Sequence, residues 1–176
     1  MQSIIACLLL SLTLSACGWH LRGSTTDNTS ASAPIELNIS TADNFSPLLN
    51  SLRQSLRNYR ITEAQGSAPY TLTVGTETMD KRTAGVGADA LTSAYEVILS
   101  VDYIIQHNNT VLTAPKTRAS ISRTYNYNIN NAATAAQEEA LIVNEMRREL
   151  AQQLLRRVKN LSGKNQQATK NAETTR

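Results

Sequence analysis

Period-two alternation of apolar and polar residues marks four strands in this chain, and spacings of three and four mark two helices. Ile35, Leu37 and Ile39 alternate with polar neighbours and predict a first strand over 35–40. Ser46-Pro47 then places an N-cap residue before a proline at the first helical position. Leu48, Leu49, Leu52, Leu56 and Tyr59 follow at helical spacing, which predicts a helix over 47–58. Tyr70, Leu72 and Val74 alternate with Thr71 and Thr73 in a second strand that runs towards Thr78. The charged, glycine-bearing stretch 80–89 is expected to be a loop.

From Tyr95 to His107 the odd positions Val97, Leu99, Val101, Tyr103 and Ile105 form one long apolar face. Asn108-Asn109 suits a tight hairpin turn because Asn tolerates positive φ. A return strand is expected over 111–127, with Pro115 marking an edge or a bulge, and with Ile121, Tyr125 and Tyr127 on one side. The last helix carries the strongest pattern, a stripe of Val143, Met146, Leu150, Leu154, Val158 and Leu161. Glu138, Glu139 and Glu145 near its start and Arg156, Arg157 and Lys159 in its last turns suit the helix dipole, and Gly163 suits a C-cap. The order is β-α-β-β-β-α. The simplest architecture that buries both stripes is an α/β (α+β) two-layer sandwich, one mixed sheet of about four strands with two helices on one face.

The N-terminus reads as a secretion signal rather than as part of the fold. An apolar run over 4–12 leads into Leu14-Ser15-Ala16-Cys17, a bacterial lipobox, which makes Cys17 the lipidation site. The run is about ten residues, well short of the ~20 that span a bilayer. No Lys or Arg precedes it, so its positive end is the Met1 amine. Gly18 stands where lipoproteins kept at the inner membrane carry Asp, which favours the outer membrane. The expected organisation is a signal over 1–16, a lipidated N-terminus and polar tether over 17–33, one domain over 34–161 and a disordered tail over 162–176.

Composition narrows the chemistry. Of the two cysteines, Cys7 leaves with the signal and Cys17 carries the lipid, so no disulfide is expected. His20 and His107 are the only imidazoles, too few for a metal cluster or a Ser-His-Asp arrangement. Gly85 and Gly87 form no phosphate-cradling motif. No catalytic residue, metal or cofactor is expected, and the chain is not read as an enzyme. The formal charge is +3, but the basic residues are spread out and not interleaved with aromatics, which argues against nucleic acid.

Two features could carry function. The first is the polar side of the strands, where Thr71, Thr73, Ser120, Ser122, Thr124, Asn126 and Asn128 are uncharged hydrogen-bonding residues able to dock in a polar cavity. An antiparallel strand with one solvated side has the same appearance. The second is a set of cations, Lys81 and Arg82 in the expected loop and Lys116, Arg118 and Arg123 on the return strand. Arginine binds phosphate bidentately, and basic residues also guard a sheet edge against aggregation.

The run Cys17-Gly18-Trp19-His20-Leu21-Arg22 resembles the opening of the mature LPS-assembly lipoprotein family, LptE. Ala94-Tyr95 at the start of the long strand, and Ile142-Val143-Asn144-Glu145-Met146 leading to Gln153-Leu154-Leu155-Arg156, are also similar to family members in the same order. The resemblance covers the chain apart from the tether and tail. It implies an outer-membrane lipoprotein on the periplasmic side that plugs the LptD β-barrel, helps it fold and contacts lipopolysaccharide in transit. Barrel contact is then expected at Thr71, Thr73, Ser120, Ser122, Thr124 and Asn126, and lipopolysaccharide contact at Lys81, Arg82, Arg118 and Arg123. Where some relatives place basic residues, this chain has Ala88 and Ala135. Two competing readings are a small α/β outer-membrane lipoprotein that regulates a cell-wall synthase, and a periplasmic hydrolase. The short tether disfavours the first, and the lack of a nucleophile-base pair disfavours the second.

Overall fold

The computed structural model describes residues 34–115 and 117–174. The lipobox at 14–17, the tether up to residue 33 and Lys116 lie outside the described residues. In chain order the strands are β1 (Ile35–Thr41), β2 (Ile61–Glu63), β3 (Tyr70–Val74), β4 (Thr78–Val86), β5 (Thr92–His107), β6 (Thr110–Val111) and β7 (Arg118–Asn126). Helix α1 (Pro47–Ser55) lies between β1 and β2 and ends in a 3-10 turn at Leu56–Tyr59, and helix α2 (Ala132–Thr174) follows β7. The α+β class holds, with seven strands in the sheet rather than about four. β2 and β6 span only three and two residues, too short to display a period.

Strand β5 is the spine of the sheet. Along one edge it pairs antiparallel with β3 and then β4, and along the other with β6 and then β7. β1 adds parallel to β3, and β2 parallel to β1. The pairs Val74↔Tyr103 and Thr78↔Ser100 are out of step by one residue, so 75–77 form a bulge between β3 and β4. Gly75 N–H donates to the Asp102 carbonyl at 2.8 Å, and a Cβ on Gly75 would stand 3.1 Å from that oxygen. The extra residue exchanges the two faces. Even-numbered Leu72 and Val74 point to the core on β3, whereas odd-numbered Met79, Lys81 and Thr83 share the core-side rows on β4.

This bulge corrects two expectations. The second strand stops at Val74, and the stretch over 80–89 is not a loop but is strand as far as Val86. β4 tolerates three consecutive charges because it is an edge strand, exposed along nearly its whole length, with ionic partners available on both faces. The return strand is likewise divided. Residues 112–115 and 117, with Pro115 among them, interrupt it, and the buried Thr113 accepts the Ile105 N–H there at 3.3 Å. Asn108 and Asn109 form the hairpin turn with φ of 45° and 66°.

All the odd positions of β5 from Val97 to Ile105 are buried, and the even positions from Glu96 to Gln106 are half-buried or exposed. Both helices lie on the buried side. α1 contributes Leu48, Leu49 and Leu52, and α2 contributes Val143, Met146, Leu150, Leu154 and Val158 as expected, with Ala151 and Leu155 in addition. Burying each large aliphatic side chain stabilises the fold by about 1.5–3 kcal/mol, which makes this stripe the main contact of α2 with the sheet.

The expected end of the last helix is corrected as well. α2 passes through Gly163 and continues to Thr174, where a tail was expected. Glycine in a helix costs about 1 kcal/mol relative to alanine, and local contacts offset that cost. Ser162 is buried and donates to the Lys159 carbonyl at 2.8 Å, and Asn165 Nδ2 lies 2.9 Å from His107 Nδ1.

Candidate functional site

The helix-free face of the sheet gathers the polar residues that the sequence singles out. In register across β4, β5 and β7, one row is Thr78, Ser100 and Ser120, the next is Asp80, Ile98 and Ser122, and the third is Arg82, Glu96 and Thr124. Asn126 lies beside Ala94, and Thr71 and Thr73 extend the same face next to Gln106 and Ile104. Ser120, Ser122, Thr124 and Asn126 are exposed, and Thr71 and Thr73 are half-buried. Thr78 Oγ1 and Ser100 Oγ share a hydrogen bond of 2.8 Å. Asn128 stands apart from the set, because its side chain accepts the Asn130 N–H and caps the 3-10 turn before α2.

Charges on this face come largely in pairs. Arg82 Nε donates to Glu96 Oε2 at 2.7 Å, and Arg118 holds both oxygens of Asp102 at 2.7 and 3.1 Å. These hydrogen bonds hold the Glu96 and Asp102 carboxyls below their ordinary values and raise the two guanidinium values. Asp80 adds to the field at Arg82.

The four candidate cations therefore do not form one cluster. Arg82 and Arg118 lie on the helix-free face, whereas Lys81 and Arg123 lie on the helix side, where each meets a carboxylate of α2. Arg123 Nη2 is 2.7 Å from Glu149 Oε2. Lys81 donates to Glu139, which also accepts the Tyr125 hydroxyl, and the ammonium sits 4.4 Å from the centre of the Tyr95 ring. Glu139 and then Tyr125 hold the Lys81 value above its ordinary one. Ala88 is exposed in the turn after β4, while Ala135 packs into the core at 7% exposure.

Sequence reasoning missed Thr78, Asp80, Glu96, Ser100 and Asp102 as members of this face. The even-numbered positions of β5 are the available signal, but the composition of 80–89 predicts a loop where β4 runs. Among the described residues no group of His, Cys, Asp and Glu is arranged to hold a metal. No described helix is long and apolar enough to cross a membrane.

The family described as LptE, Lipopolysaccharide-assembly, matches residues 35–158. A Photorhabdus laumondii protein named LPS-assembly lipoprotein LptE is 30% identical over 167 residues, 90% of this chain and 87% of that protein. In fold, the chain is similar to the crystal structure of rare lipoprotein B from Shewanella oneidensis, with a TM-score of 0.64 and 22% identity. The match covers 74% of this chain and 98% of that one. A minor lipoprotein from Acinetobacter baumannii matches with a TM-score of 0.60 and 21% identity, over 72% of this chain and 92% of that one.

Proposed function

The chain belongs to the lipopolysaccharide-assembly family LptE, and from that membership we propose that it is an outer-membrane lipoprotein. In this reading it is anchored through Cys17 on the periplasmic side, plugs the LptD β-barrel, and serves lipopolysaccharide transport without catalysing a reaction. The observation that carries the plug reading is the helix-free sheet face. It presents Thr71, Thr73, Ser120, Ser122, Thr124 and Asn126 with Thr78 and Ser100, and its arginines are already neutralised by neighbouring carboxylates. A barrel lumen is polar. Hydroxyl and amide groups can exchange water for lumen groups there without burying unpaired charge, whose cost is on the order of several kcal/mol per ion.

Lipopolysaccharide contact belongs to this reading at Arg82 and Arg118, the two candidate cations on the open face. A phosphate suits the guanidinium fork as well as a carboxylate does, so it can exchange with Glu96 or Asp102. Lys81 and Arg123 instead hold α2 to the sheet. Co-expression with the barrel tests the plug directly. A stable complex that copurifies in detergent supports it, and a lipoprotein that elutes alone from a correctly folded barrel contradicts it.

A further inference from the structure

The described cations divide into two groups. Arg53, Lys81, Arg82, Arg118, Arg123, Arg147 and Arg148 each lie within ion-pair distance of a carboxylate. Arg57, Arg60, Arg156, Arg157, Lys159 and Lys164 have no such partner among the described residues, and all six are exposed. The unpaired six occupy adjoining segments. Arg57 is in the 3-10 turn after α1, and Arg60 closes that turn in the left-handed region at φ 56°. Arg156 Nη1 donates to the Tyr59 hydroxyl at 3.3 Å, which ties the turn to α2. Arg157, Lys159 and Lys164 follow within about 12 Å along the helix axis. The carboxylates of the adjoining strands β1 and β2 do not answer this charge. Glu63 is held by Arg53 at 3.0 Å, and Glu36 is on β1 next to Leu37 and so points to the helix-free side.

The same region receives the chain from its N-terminal side. Ile35 N–H donates to the Arg60 carbonyl at 3.1 Å, so the first residue of β1 is bonded to a member of the cationic group. Between Cys17 and Pro34 the chain can span at most ~60 Å, so a lipid on Cys17 keeps this part of the domain within reach of its membrane.

We propose that this basic cap docks on the anionic phospholipid headgroups of the leaflet that holds the Cys17 lipid. The inference rests on the reading that Cys17 is acylated. Each Lys or Arg near an anionic surface strengthens attachment roughly fivefold. The cap thus adds an oriented contact to the covalent anchor and leaves the 87–91 hairpin, at the far end of the 16-residue strand β5, directed away from the headgroups.

Vesicle sedimentation tests the cap without help from the acyl chain. The chain from residue 17 with Cys17→Ser, made without the preceding segment, retains every core residue, and circular dichroism checks its fold. It is expected to sediment with phosphatidylcholine vesicles containing a minority of phosphatidylglycerol, not with pure phosphatidylcholine, and less as salt rises. Arg57→Gln/Arg156→Gln/Lys159→Gln, in which the two helix positions share one face, should weaken that binding about a hundredfold. Lys81→Gln/Arg123→Gln/Arg148→Gln removes the same formal charge from paired positions and should leave binding within about twofold. Equal binding by the parent and the cap variant, equal loss in both triple variants, or retention only on vesicles carrying lipopolysaccharide would overturn the proposal. The mass of the Cys17 peptide from membranes tests acylation separately. An unmodified Cys17 would sink that reading while the vesicle result stood.

Discussion

Lys81 on β4 donates to Glu139 near the start of α2, fifty-eight positions away, and the same carboxylate accepts the hydroxyl of Tyr125 on β7. One carboxylate thereby joins both edges of the distal sheet to the helix. Few large apolar side chains do that work there, because Ala135 is the only fully buried side chain of α2 before Val143 among the described residues.

Glu139→Gln should destabilise the domain by about 1 kcal/mol, since the ammonium loses its counter-ion at a partly exposed site while Tyr125 keeps an acceptor. Thermal denaturation should show a fall of about 2–4 °C. An unchanged midpoint would mean that the cluster contributes nothing.

The same cluster sets a pH dependence. Lys81, and then Tyr125, hold the Glu139 carboxyl below its ordinary 4.5. Its contribution is therefore complete above that pH and is lost as pH falls through the lower folded value. The Lys81 value is raised above 10.5, so its share is complete below that pH and fades as pH rises through the higher folded value. Urea denaturation at pH 7 and pH 3 should show the parent losing more stability than Glu139→Gln. Equal losses would contradict the linkage.

Gly163→Ala should stabilise the protein by about 1 kcal/mol, because the helix runs through this position and a Cβ there meets nothing within 4 Å. A helix that ended here with a left-handed cap would instead be destabilised by alanine. The sign of the change in denaturation midpoint separates the two.

The core was legible in the sequence wherever an element has one wet face, which is why β1, β3, the odd positions of β5 and the stripe on α2 were all readable from spacing. It was not legible where tertiary partners override composition. Asp80, Lys81 and Arg82 have the composition of a loop, yet they form strand, with Glu139 and Glu96 neutralising Lys81 and Arg82 from opposite faces. Gly163 looks like a helix stop, yet the buried Ser162 and the contact between Asn165 and His107 carry the helix onward. At the candidate site the polar face could be read from the alternation of Ser120, Ser122 and Thr124. Arg118 and Arg123 differ in parity and divide by that same alternation, whereas which of Lys81 and Arg82 faces the helices could not be read, because it depends on the one-residue bulge after Val74.

Arg82→Gln/Arg118→Gln should lower lipopolysaccharide retention by the purified protein about fivefold, as expected for two solvent-screened contacts. Lys81→Gln/Arg123→Gln should leave retention unchanged and lower the melting temperature. The reverse pattern would move the lipid contact to the helix side.

Cys17→Ala should release the protein, once its signal is removed, from the membrane fraction at high salt when no barrel partner is present, because salt screens the basic cap. No described helix is long and apolar enough to cross a membrane. Persistent sedimentation with membranes that survives high salt would contradict a single covalent anchor.

Site-specific photocrosslinking in cells that express the barrel tests the central claim most directly. Probes at Ser122 and Asn126 sit exposed on the helix-free face, and a probe at Gln153 sits exposed on α2. The account predicts adducts to the barrel from Ser122 and Asn126. Silence at both, with a barrel adduct from Gln153 alone, would contradict the assignment of this face as the contact surface.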